Sequence, residues 1–588
     1  MNKQKKENNL VALRHSCEHV LMMAMQNLWP NKIIMAMGPA TEQGFYFDFE
    51  AKNKLKISED DFPKIEKEMQ KIISQKLPIQ KEEISLKEAR KLFKNNSYKQ
   101  EWLDEIEERG GRPTVFWVGK KFVDLCAGPH LKNTQEIKAF KLMSVAGAYW
   151  RGSEKNKMLI RVYGTCFFDQ KQLNSYLNMI QLAKERDHRK IGQELDWFSF
   201  NPAAPGDIFW HDKGWTIMRL MYDYWREIHQ KEGYQEVRTP EILTRKTWDQ
   251  SGHTGFFLEK MYRTLSPKAK EWDLAIKPMN CDGGILIYKS RPRSYREFPL
   301  RMGELGVVHR YESSGELHGI LRPREFTQDD AHIYCTPGQV KEELKRVISL
   351  CFGVYKTFGL ELDHLELSTR PKKFIGSKEV WQKAEAIMLK VLKETQVPYQ
   401  INKGEGAFYG PKFDFHLKDS LARTWQCSTI QLDFAQPENF KLEYASPKST
   451  KKRPVMIHRV LYGSVERFLG IVIEHYAGNL PVWLMPVQVR ILAISEKQLV
   501  YAQKIKEKLI KNNIRAELDE SSQTLSYKVR QAQRGKIPFF LIVGSKEEKE
   551  QKITLRQRDG KEQSSLSLNE FVESVRKIIK SKSLKLIA

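Results

Sequence analysis

No run of apolar residues in this 588-residue chain approaches the roughly 20 that a membrane-spanning helix needs. This absence argues against an integral membrane protein, although 41% of the residues are hydrophobic and can fill several large cores. The N-terminal segment MNKQKKENNL also lacks an apolar stretch and arginine, so neither a secretory signal nor a transit peptide is predicted. We expect a soluble, cytoplasmic protein that does not bind a membrane.

Cysteine is scarce as well, with seven residues scattered along the chain. An odd number at irregular spacing does not make a disulfide framework, so the sequence indicates a reducing compartment. A cysteine with a special role is then expected to be a metal ligand or a reactive group.

Both familiar phosphate-binding glycine motifs are absent. The segment 404–410, Gly-Glu-Gly-Ala-Phe-Tyr-Gly, is glycine-rich but lacks the GxGxxG spacing of dinucleotide folds. The segment 147–152 imitates a P-loop, but Ser153 follows it where that motif has lysine. The sequence therefore predicts neither a Rossmann nor a P-loop nucleotide site.

Positive charge is in excess: 98 Lys and Arg against 73 Asp and Glu give a formal net charge of +25. Such an excess on a folded protein attracts polyanions, and nucleic acid is the first partner to consider. The last segment, residues 490–588, is itself basic, with 22 Lys and Arg against 12 Asp and Glu. A compact basic module of this kind is typical of a nucleic-acid reader, and a solvated lysine-rich surface is the alternative.

Changes of pattern divide the chain, which is longer than the roughly 250 to 300 residues of a single core. A charged helical stretch begins near Leu173, and Asn-Pro-Ala-Ala-Pro-Gly at 201–206 marks a boundary. From Val487 strands and helices alternate, as in a small α/β domain. We predict an α+β multidomain protein with a first domain over residues 1–170, a linker helix over 171–200, a large domain over 201–486 and a last domain over 487–588.

The first domain contains histidines and a cysteine whose spacing can bring their side chains together. His15 and His19 are spaced i and i+4 in a helical pattern, so their imidazoles share one helix face. A later loop reads Asp124-Leu-Cys-Ala-Gly-Pro-His, in which Gly-Pro forbids a continuous helix and leaves Cys126 and His130 in a turn. These four residues are typical zinc ligands or a nucleophile-activating cluster, and four unrelated core residues are an equal alternative.

The large domain centres on residues 307–335, which read as two strands around a polar, glycine-containing turn. Side chains of a strand alternate between its two faces, so polar residues spaced by two collect on one face of each strand. Such a polar row indicates a pocket, and the exposed face of an edge hairpin is the alternative for this segment alone. Beside Val308, the row consists of Arg310, Glu312, Gln328, Asp330 and His332.

Two later segments extend this polar set. A helix is predicted to open at Gly463, and Arg467 lies off its apolar stripe near the N-terminus. An arginine there suits an anionic phosphate, and a solvated helix face is the alternative. A third strand, 424–434, is more polar on one face than a core strand should be. That face carries Cys427, Thr429, Gln431 and Asp433.

Several motifs resemble those of the bacterial threonyl-tRNA synthetases, from about His15 to the C-terminus. They are HRYESSGELHG, FTQDDAHIYC, GEGAFYGPKFDF, WQCSTIQLDF, RPVMIHR and GSVERFLGIVIEHYAG. The resemblance implies a class II synthetase, with an antiparallel-sheet catalytic core over residues 201–486, an N-terminal editing domain and a C-terminal anticodon-binding domain. It also implies a homodimer formed through a helix and strand such as those between Gly214 and Pro240.

By this resemblance the protein activates L-threonine with ATP and Mg²⁺ and transfers it to tRNA(Thr). Position by position, Arg310 would contact the α-phosphate, Arg467 the γ-phosphate and Glu312 the adenine side, with Arg322 as a second phosphate-side arginine. The three arginines are the implied catalytic residues. The implied nucleotide site is completed by Gln426, Thr429 and Ser464.

The resemblance also implies one Zn²⁺ per subunit, held by Cys281, His332 and His458. Three protein ligands leave an open position, where the amino and hydroxyl groups of threonine can bind and isosteric valine cannot match them. Asp330 would accept the hydroxyl proton. The implied amino-acid pocket is completed by Met279, Gln328, Tyr409 and Gln431.

Serine lacks only one methyl group of threonine, worth roughly 1 to 3 kcal/mol, which is too little for accurate translation. The resemblance therefore implies hydrolytic editing of mischarged Ser-tRNA(Thr). His15, His19, Cys126 and His130 match the family's editing site, with Asp124 beside it. Whether this cluster binds a metal stays open.

The sequence departs from the family pattern in four places, one of which is Pro323, where the family has a β-branched residue between two arginines. Asp282-Gly-Gly follows Cys281 where the family usually has Pro-Gly-His, so a local histidine is missing. The loop at 521–526 lacks the usual charged pattern, which leaves Arg556 and Arg558 as candidates for anticodon contacts. From the length before the first editing histidine, we also expect no ubiquitin-like domain of the kind that many relatives carry.

Two other functions compete with the ligase. An RNA binder that has lost ligation is motivated by the change at Asp282, and it would show no threonine-dependent pyrophosphate exchange. A free-standing editing hydrolase is motivated by the N-terminal cluster alone. The presence of Arg310 and Arg467 speaks against this second alternative.

Overall fold

The structure is a computed structural model that describes residues 3–587. The chain forms two compact units that meet between Gln181 and Leu182 in the sequence. In the described part of the chain, every helix is too short or too polar to cross a lipid bilayer. All seven cysteines lie in this part and are free thiols.

The first unit packs a long helix against two small antiparallel sheets, ordered β1-β2-β7-β6 and β3-β4-β5. Its core is formed by the apolar face of the first helix together with strand residues such as Phe45, Phe47 and Phe49. The elements are α1 (Lys3–Leu28), β1 (Ile33–Met37), β2 (Phe45–Ala51), α2 (Phe62–Ser74), β3 (Ile79–Glu83), α3 (Leu86–Leu92), α4 (Ser97–Glu108), β4 (Thr114–Val118), β5 (Phe122–Leu125), β6 (Ala139–Tyr149), β7 (Met158–Phe167) and α5 (Gln170–Glu185).

The charged segment between Asp60 and Glu107 is not the plain helical hairpin that its pattern predicts. Strand β3 lies between its helices and pairs with β4. Only Ile79 of its five residues is buried, because β3 is an edge strand and exposes the rest of Ile-Gln-Lys-Glu-Glu to solvent. An edge strand of this composition carries no alternating apolar signal, which explains the error.

The predicted linker helix is two helices, α5 and α6 (His188–Glu194). The break falls at Asp187, whose carboxylate caps the second helix by accepting the backbone N–H of Arg189 at 2.8 Å. An aspartate that caps a helix N-terminus in this way starts a new helix rather than continuing the old one.

The second unit is built on an eight-stranded sheet in the order β10-β14-β15-β22-β19-β18-β16-β17. All neighbours pair antiparallel except β10 with β14 and β16 with β17. Its elements are β8 (Phe198–Ser199), β9 (Phe209–Trp210), α7 (Asp212–Lys231), β10 (Gln235–Glu236), β11 (Ile242–Thr244), α8 (Arg245–Ser251), α9 (His253–Phe256), β12 (Arg263–Thr264), β13 (Leu274–Ile276), α10 (Cys281–Lys289), β14 (Leu300–His309), β15 (Glu325–Cys335), α11 (Val340–Phe358), β16 (Glu361–Ser368), α12 (Lys378–Thr395), β17 (Tyr399–Asn402), β18 (Lys412–Lys418), β19 (Thr424–Asp433), α13 (Ala435–Asn439), β20 (Tyr444–Ala445), β21 (Lys451–Lys452), β22 (Val455–Ser464) and α14 (Val465–Tyr476).

The two faces of this sheet differ in polarity. Ile333, Phe415 and Ile457 belong to a core shared with the buried residues of α7, α11 and α14. The alternate residues, such as Asp330 on β15 and Asp414 on β18, project from the other face. Helices therefore cover one face, and the other face is free to carry polar groups.

A five-stranded sheet ends the chain, in the order β24-β23-β25-β26-β27, and its first three strands are parallel. Helices α15 and α18 pack against it through residues such as Ile505 and Phe571. The predicted alternation of strands and helices after Val487 is present here. The elements are β23 (Val489–Ala493), α15 (Leu499–Lys511), β24 (Ala516–Asp519), α16 (Leu525–Arg534), β25 (Phe539–Val543), α17 (Ser545–Glu550), β26 (Ile553–Gln557), β27 (Glu562–Leu566) and α18 (Leu568–Ser581).

Candidate active site

A cavity of about 540 Å³ lies on the polar face of the eight-stranded sheet. Fourteen of the fifteen residues that the sequence assigns to nucleotide, zinc and threonine line it. The fifteenth, His332, is buried next to it, with its Nε2 3.8 Å from Oδ1 of Asp330. The fourteen are Met279, Cys281, Arg310, Glu312, Arg322, Gln328, Asp330, Tyr409, Gln426, Thr429, Gln431, His458, Ser464 and Arg467.

The β14–β15 hairpin positions one wall of this cavity. The two strands pair antiparallel as predicted, but β14 ends at His309. Arg310 and Glu312 therefore lie in the loop that follows and not on the strand face, which corrects the predicted row. The backbone leaves the ladder here because the N–H of Tyr311 donates to the carbonyl of Lys260, outside the hairpin. Val308 is buried.

Two arginines reach the cavity from different elements. Arg310 donates from Nε to the carbonyl of Pro278 at 3.1 Å. Arg467 lies in the first turn of α14, where its N–H donates to the Oγ of the capping residue Ser464 at 3.1 Å and its side chain reaches the carbonyl of Leu321. Burial lowers the pKa of both guanidinium groups. Each guanidinium is thus fixed and partly desolvated, which strengthens its interaction with an anion.

Glu312 has two cationic partners. Its Oε2 accepts hydrogen bonds from Lys260 at 2.7 Å and from Arg322 at 3.1 Å. Arg322 also bonds to Glu316 at 3.1 Å, and its side chain is 46% exposed. The mouth of the cavity is therefore an ion-pair network. Two cations fix the carboxylate of Glu312, while the exposed Arg322 can move away from it.

The three predicted zinc ligands come together only partly. His332 and His458 are direct partners in the β15–β22 register, and their ring centroids lie 5.0 Å apart. The Nε2 of His332 is buried and has no hydrogen-bond partner, while the Nε2 of His458 lies 2.8 Å from a carboxylate oxygen of Asp433. Cys281 begins α10 at the same cavity. The trio is absent from the groups of described residues whose ligand atoms all fall within 4.8 Å.

Another set of side chains is closer to Cys281. Ligand atoms of His253, Cys281 and Asp282 lie within 4.8 Å of one another, and all three residues are buried. The imidazole Nδ1 of His253 is 2.6 Å from the Oγ of Ser251 and 3.7 Å from Asp282. A side chain at Gly284 would start only 3.1 Å from the ring of His332. Because Asp282 stands where the family usually has proline, a carboxylate that lies 3.7 Å from Nδ1 of His253 is next to the thiol of Cys281.

The amino-acid end of the cavity is acidic and polar. Burial raises the pKa of Asp330 to about 6. The hydroxyl of Tyr409 donates to the side-chain oxygen of Gln431, and the Tyr409 ring lies 5.1 Å from that of His458. A carboxylate poised in this way can accept a hydrogen bond from a substrate hydroxyl or hold a proton itself.

The N-terminal cluster is tighter than the zinc trio. Cys126 Sγ lies 3.1 Å from Nε2 of His15 and 3.2 Å from Nε2 of His130. Together with His19, these residues offer four ligand atoms that all fall within 4.8 Å of one another. Burial lowers the pKa of His15 to about 4 and of His130 to about 2. The imidazoles are therefore neutral at neutral pH, as ligands for a metal or a water must be.

Buried charges surround this cluster. Lys99 Nζ lies 2.5 Å from Oδ1 of Asp124, and Oδ2 of the same carboxylate is 3.9 Å from Nε2 of His19. Burial raises the pKa of Glu18 well above its usual range. Ser16 Oγ lies 3.1 Å from Nδ1 of His130 and holds that ring. The predicted neighbour of the site, Asp124, is thus the centre of a fixed polar network.

The two arginines predicted to contact the anticodon lie on and after β26. Arg556 faces Glu562 across the β26–β27 pair, and its Nε is buried without a hydrogen-bond partner. Arg558 is partly buried, reaches the carbonyl of Lys536 at 3.5 Å, and has its pKa lowered to about 10 by burial. Both arginines are half-buried.

Known proteins match almost the whole chain. The threonine–tRNA ligase of Caldanaerobacter subterraneus subsp. tengcongensis is 50% identical over 572 residues, which cover 97% of this chain and 87% of that protein. That of Carboxydothermus hydrogenoformans is 50% identical over 571 residues, covering 97% and 89%. The chain belongs to the threonine–tRNA ligase family. The ligase joins threonine to tRNA, and class II activation uses ATP and Mg²⁺.

Family profiles place the three functional modules of the ligase. Residues 262–476 match the tRNA synthetase class II core domain, 488–578 the anticodon binding domain, and 114–163 the threonyl and alanyl tRNA synthetase second additional domain, which carries editing. The RNA-binding domain of a Cryptosporidium parvum threonyl-tRNA synthetase is 37% identical with a TM-score of 0.65, covering 68% of this chain and 99% of that structure. A prolyl-tRNA synthetase at 15% identity and a TM-score of 0.52 shares the fold alone.

Some residues of these sites were missed in the sequence. Glu18 is three residues after His15 on one helix, so helical spacing gives a signal for it. Lys412 lines the cavity, and it belongs to the motif GEGAFYGPKFDF. His253 and Lys99 reach their sites from 28 and 25 residues away in sequence, and no local spacing points to them.

Proposed function

We propose that the cavity binds ATP and threonine side by side and that its arginines stabilise the charge that develops on the nucleotide. The observation that carries this proposal is the convergence of fourteen assigned residues on one cavity. As the threonine carboxylate attacks the α-phosphorus and pyrophosphate leaves, negative charge builds on the phosphate oxygens. Arg310 and Arg467 are fixed donors for that charge, and Arg322 can leave Glu312 to reach it.

Cys281, His332 and His458 fit a zinc ion in their chemistry, and we assign one Zn²⁺ per subunit to them. The unpaired, buried Nε2 of His332 is what a nitrogen aimed at a cation requires. The carboxylate of Asp433 on His458 is the support that metal-binding imidazoles usually have. When bound, the ion supplies a Lewis-acid position for the amino and hydroxyl groups of threonine. Asp330 then orients the hydroxyl, which valine lacks.

Metal analysis combined with amino-acid-dependent ATP–pyrophosphate exchange tests this assignment. Cys281→Ala should lose the bound zinc and most threonine-dependent exchange. Cys335→Ala is the matched control, because this buried thiol lies in the helix-covered core on the opposite side of β15. Retained zinc and normal threonine exchange in Cys281→Ala would refute the zinc role. Absence of exchange with threonine, serine and valine in the wild type would favour an RNA binder that has lost ligation.

The N-terminal cluster is the proposed editing site, where a positioned water hydrolyses mischarged Ser-tRNA(Thr). Support comes from the four ligand atoms within 4.8 Å and from the neutral imidazoles. His19→Ala should leave threonine charging intact while Ser-tRNA(Thr) accumulates. Cys17→Ala, which removes a buried thiol from the same helix but no member of the cluster, is the control. Serine clearance unchanged by His19→Ala would remove the assignment.

A homodimer is proposed because exposed apolar side chains lie in and directly beside the region, Gly214 to Pro240, that is predicted to form its interface. Phe209, Trp215 and Ile242 are 44%, 44% and 51% exposed, and β10 is an edge strand of the large sheet. Sedimentation velocity should give a dimer at micromolar concentration. The charge-introducing variant Trp215→Glu should shift it towards monomer, and Val380→Glu, at an exposed apolar position elsewhere, should not.

Recognition of the tRNA anticodon is assigned to the last domain, whose net positive charge favours a polyanion. Arg556 and Arg558 are the candidate contacts, and both are half-buried on or next to β26. Arg556→Ala should weaken tRNA(Thr) binding and lower its salt dependence by about one counterion, whereas Lys536→Ala serves as a charge-matched control. We retain the boundaries at residues 170, 200 and 486 and a cytoplasmic location as parts of this proposal.

A further inference from the structure

A second group of metal-ligand side chains lies on the large sheet, outside the cavity. His364 and Glu366 are on β16, and His416 is on β18 directly opposite His364. Because side chains alternate along a strand, all three project from the face that carries Asp414. Leu365, which lies between two of them, points instead into the helix-covered core. The three side chains therefore form a compact patch on one sheet face.

The geometry of this patch suits a single ion. The ligand atoms of the three side chains all lie within 4.8 Å of one another, and the two imidazole rings lie side by side with centroids 4.4 Å apart. Glu366 lies between them: one carboxylate oxygen is 3.3 Å from Nε2 of His364 and the other 3.6 Å from Nε2 of His416. Ligands at about 2.0 to 2.2 Å from a zinc-like ion lie roughly 3 to 3.5 Å from one another. Because the ring planes are inclined by only 5°, one imidazole also has to rotate before both nitrogens face the same ion.

Neighbouring groups hold these ligands as metal sites usually require. His364 Nδ1 lies 2.8 Å from a carboxylate oxygen of Asp363, so Nε2, which faces Glu366 at 3.3 Å, is the nitrogen directed into the patch. Asn402 on β17 donates to Glu366 at 2.9 Å. The register steps from Leu362 to His364 across the pair with β18, so Asp363 is the extra residue of a bulge, a feature that re-aims side chains.

The main alternative is a set of imidazole–carboxylate contacts that only ties the strands together. The nitrogen Nε2 of His416 argues against it, because this atom is buried and has no hydrogen-bond partner. The three side chains are 18 to 21% exposed, so an ion can enter from solvent.

We propose that His364, Glu366 and His416 bind one divalent transition-metal ion of the zinc type. Two imidazoles and a carboxylate are a donor set that suits Zn²⁺, Co²⁺ and Ni²⁺. The ion cross-links β16 and β18 and, through Asn402, the edge strand β17. This site is separate from the zinc assigned to Cys281 and from the N-terminal cluster, and it contains no thiolate.

Co²⁺ titration of the metal-depleted full-length protein, followed by calorimetry and visible absorption, tests the proposal. Wild type should bind one Co²⁺ more than the double variant His364→Gln/His416→Gln. The missing ion should give visible d–d bands without the thiolate-to-cobalt charge-transfer band of a cysteine site. Asp363→Asn, which keeps all three ligands, should weaken this ion's binding about 10- to 100-fold. The control His211→Gln removes an exposed imidazole paired with Asp196 and should change nothing.

Equal Co²⁺ stoichiometry in wild type and the double variant would overturn the proposal, and so would an unchanged affinity in Asp363→Asn. If the double variant fails to fold by circular dichroism, the Asp363→Asn titration decides alone. Co²⁺ should raise the midpoint of thermal unfolding more in wild type than in Asp363→Asn, because an ion that binds only the folded state stabilises that state.

Discussion

The N-terminal cluster and the catalytic cavity use similar side chains in different ways. In the cluster, two pairs spaced i and i+4 bring His15, His19, Cys126 and His130 within 4.8 Å of one another. In the cavity, the thiol begins a helix and the imidazoles of His332 and His458 are joined through the register of two strands, and the three are less tightly gathered. The helix orients His15 and His19 of the first site in advance and packing adds the loop, whereas strand pairing has to assemble the second.

The charges around the two sites differ as well. A buried ion pair, Lys99 with Asp124, anchors the cluster in the first unit. The cavity has partly desolvated arginines facing carboxylates, whereas burial raises carboxylate pKa values at both sites, for Glu18 in the cluster and for Asp330, to about 6, in the cavity. The first arrangement is a stable scaffold for one water or ion. The second stores unfavourable desolvation that an anionic nucleotide and a cationic ion can relieve.

The largest effect is expected from breaking the anchor of the cluster. Lys99→Met leaves Asp124 buried without its cation and should destabilise the first unit by about 3 to 5 kcal/mol, without changing the unfolding of the second unit. Denaturant unfolding followed by domain-resolved hydrogen exchange measures this. The double variant Lys99→Met/Asp124→Leu should recover much of the loss. A single variant within about 1 kcal/mol of wild type would mean that the pair does not anchor the site.

Next in size is the loss of a phosphate-side charge in the cavity. Arg467→Ala should lower threonine-dependent ATP–pyrophosphate exchange about 10²- to 10³-fold, because a fixed donor to the transition-state charge is gone. Hydrolysis of Ser-tRNA(Thr) by the first unit should stay at its wild-type rate. Arg346→Ala, which removes an exposed guanidinium paired with Glu232, is the control. Equal losses in both activities would show that the two sites are not chemically separate.

A pH-dependent effect of intermediate size should arise at Glu466. Burial raises its pKa to about 7 from the ordinary 4.5. Since the folded pKa lies above the unfolded one, its contribution to stability is complete below about pH 4.5 and is lost as the pH rises through 7. Glu466→Gln should therefore gain stability relative to wild type between pH 5 and 8, by on the order of 3 kcal/mol. Parallel pH profiles of the two proteins in urea unfolding would contradict this.

The smallest effect is expected at the mouth of the cavity. Lys260 bonds to Glu312 and Glu316 but is 31% exposed, so Lys260→Ala should cost less than about 1 kcal/mol of unfolding free energy. A comparison of Lys260→Ala with Lys99→Met distinguishes the contribution of an exposed ion pair to stability from that of a buried one. A loss as large as that of Lys99→Met would mean that the network at the mouth is far less screened than its exposure indicates.

Local patterns in the sequence predicted part of the site, and the resemblance to the synthetase family implied the rest. Helical spacing placed His15 and His19 on one face, and the period of two in β15 placed Gln328 and Asp330 towards one cavity. The same reasoning failed where a strand had no alternation, as in β3. It also failed at Arg310, because nothing in the sequence marks the point where β14 ends.

The sequence alone therefore determined which residues share a helix face, a strand face or a loop, since these depend on fixed repeats of 3.6 and 2 residues. Only the tertiary structure decided which faces meet: His253 beside Cys281, Lys99 against Asp124, and His416 opposite His364. Strand register and helix packing are set by the burial of many distant apolar residues at once, so no local spacing records them.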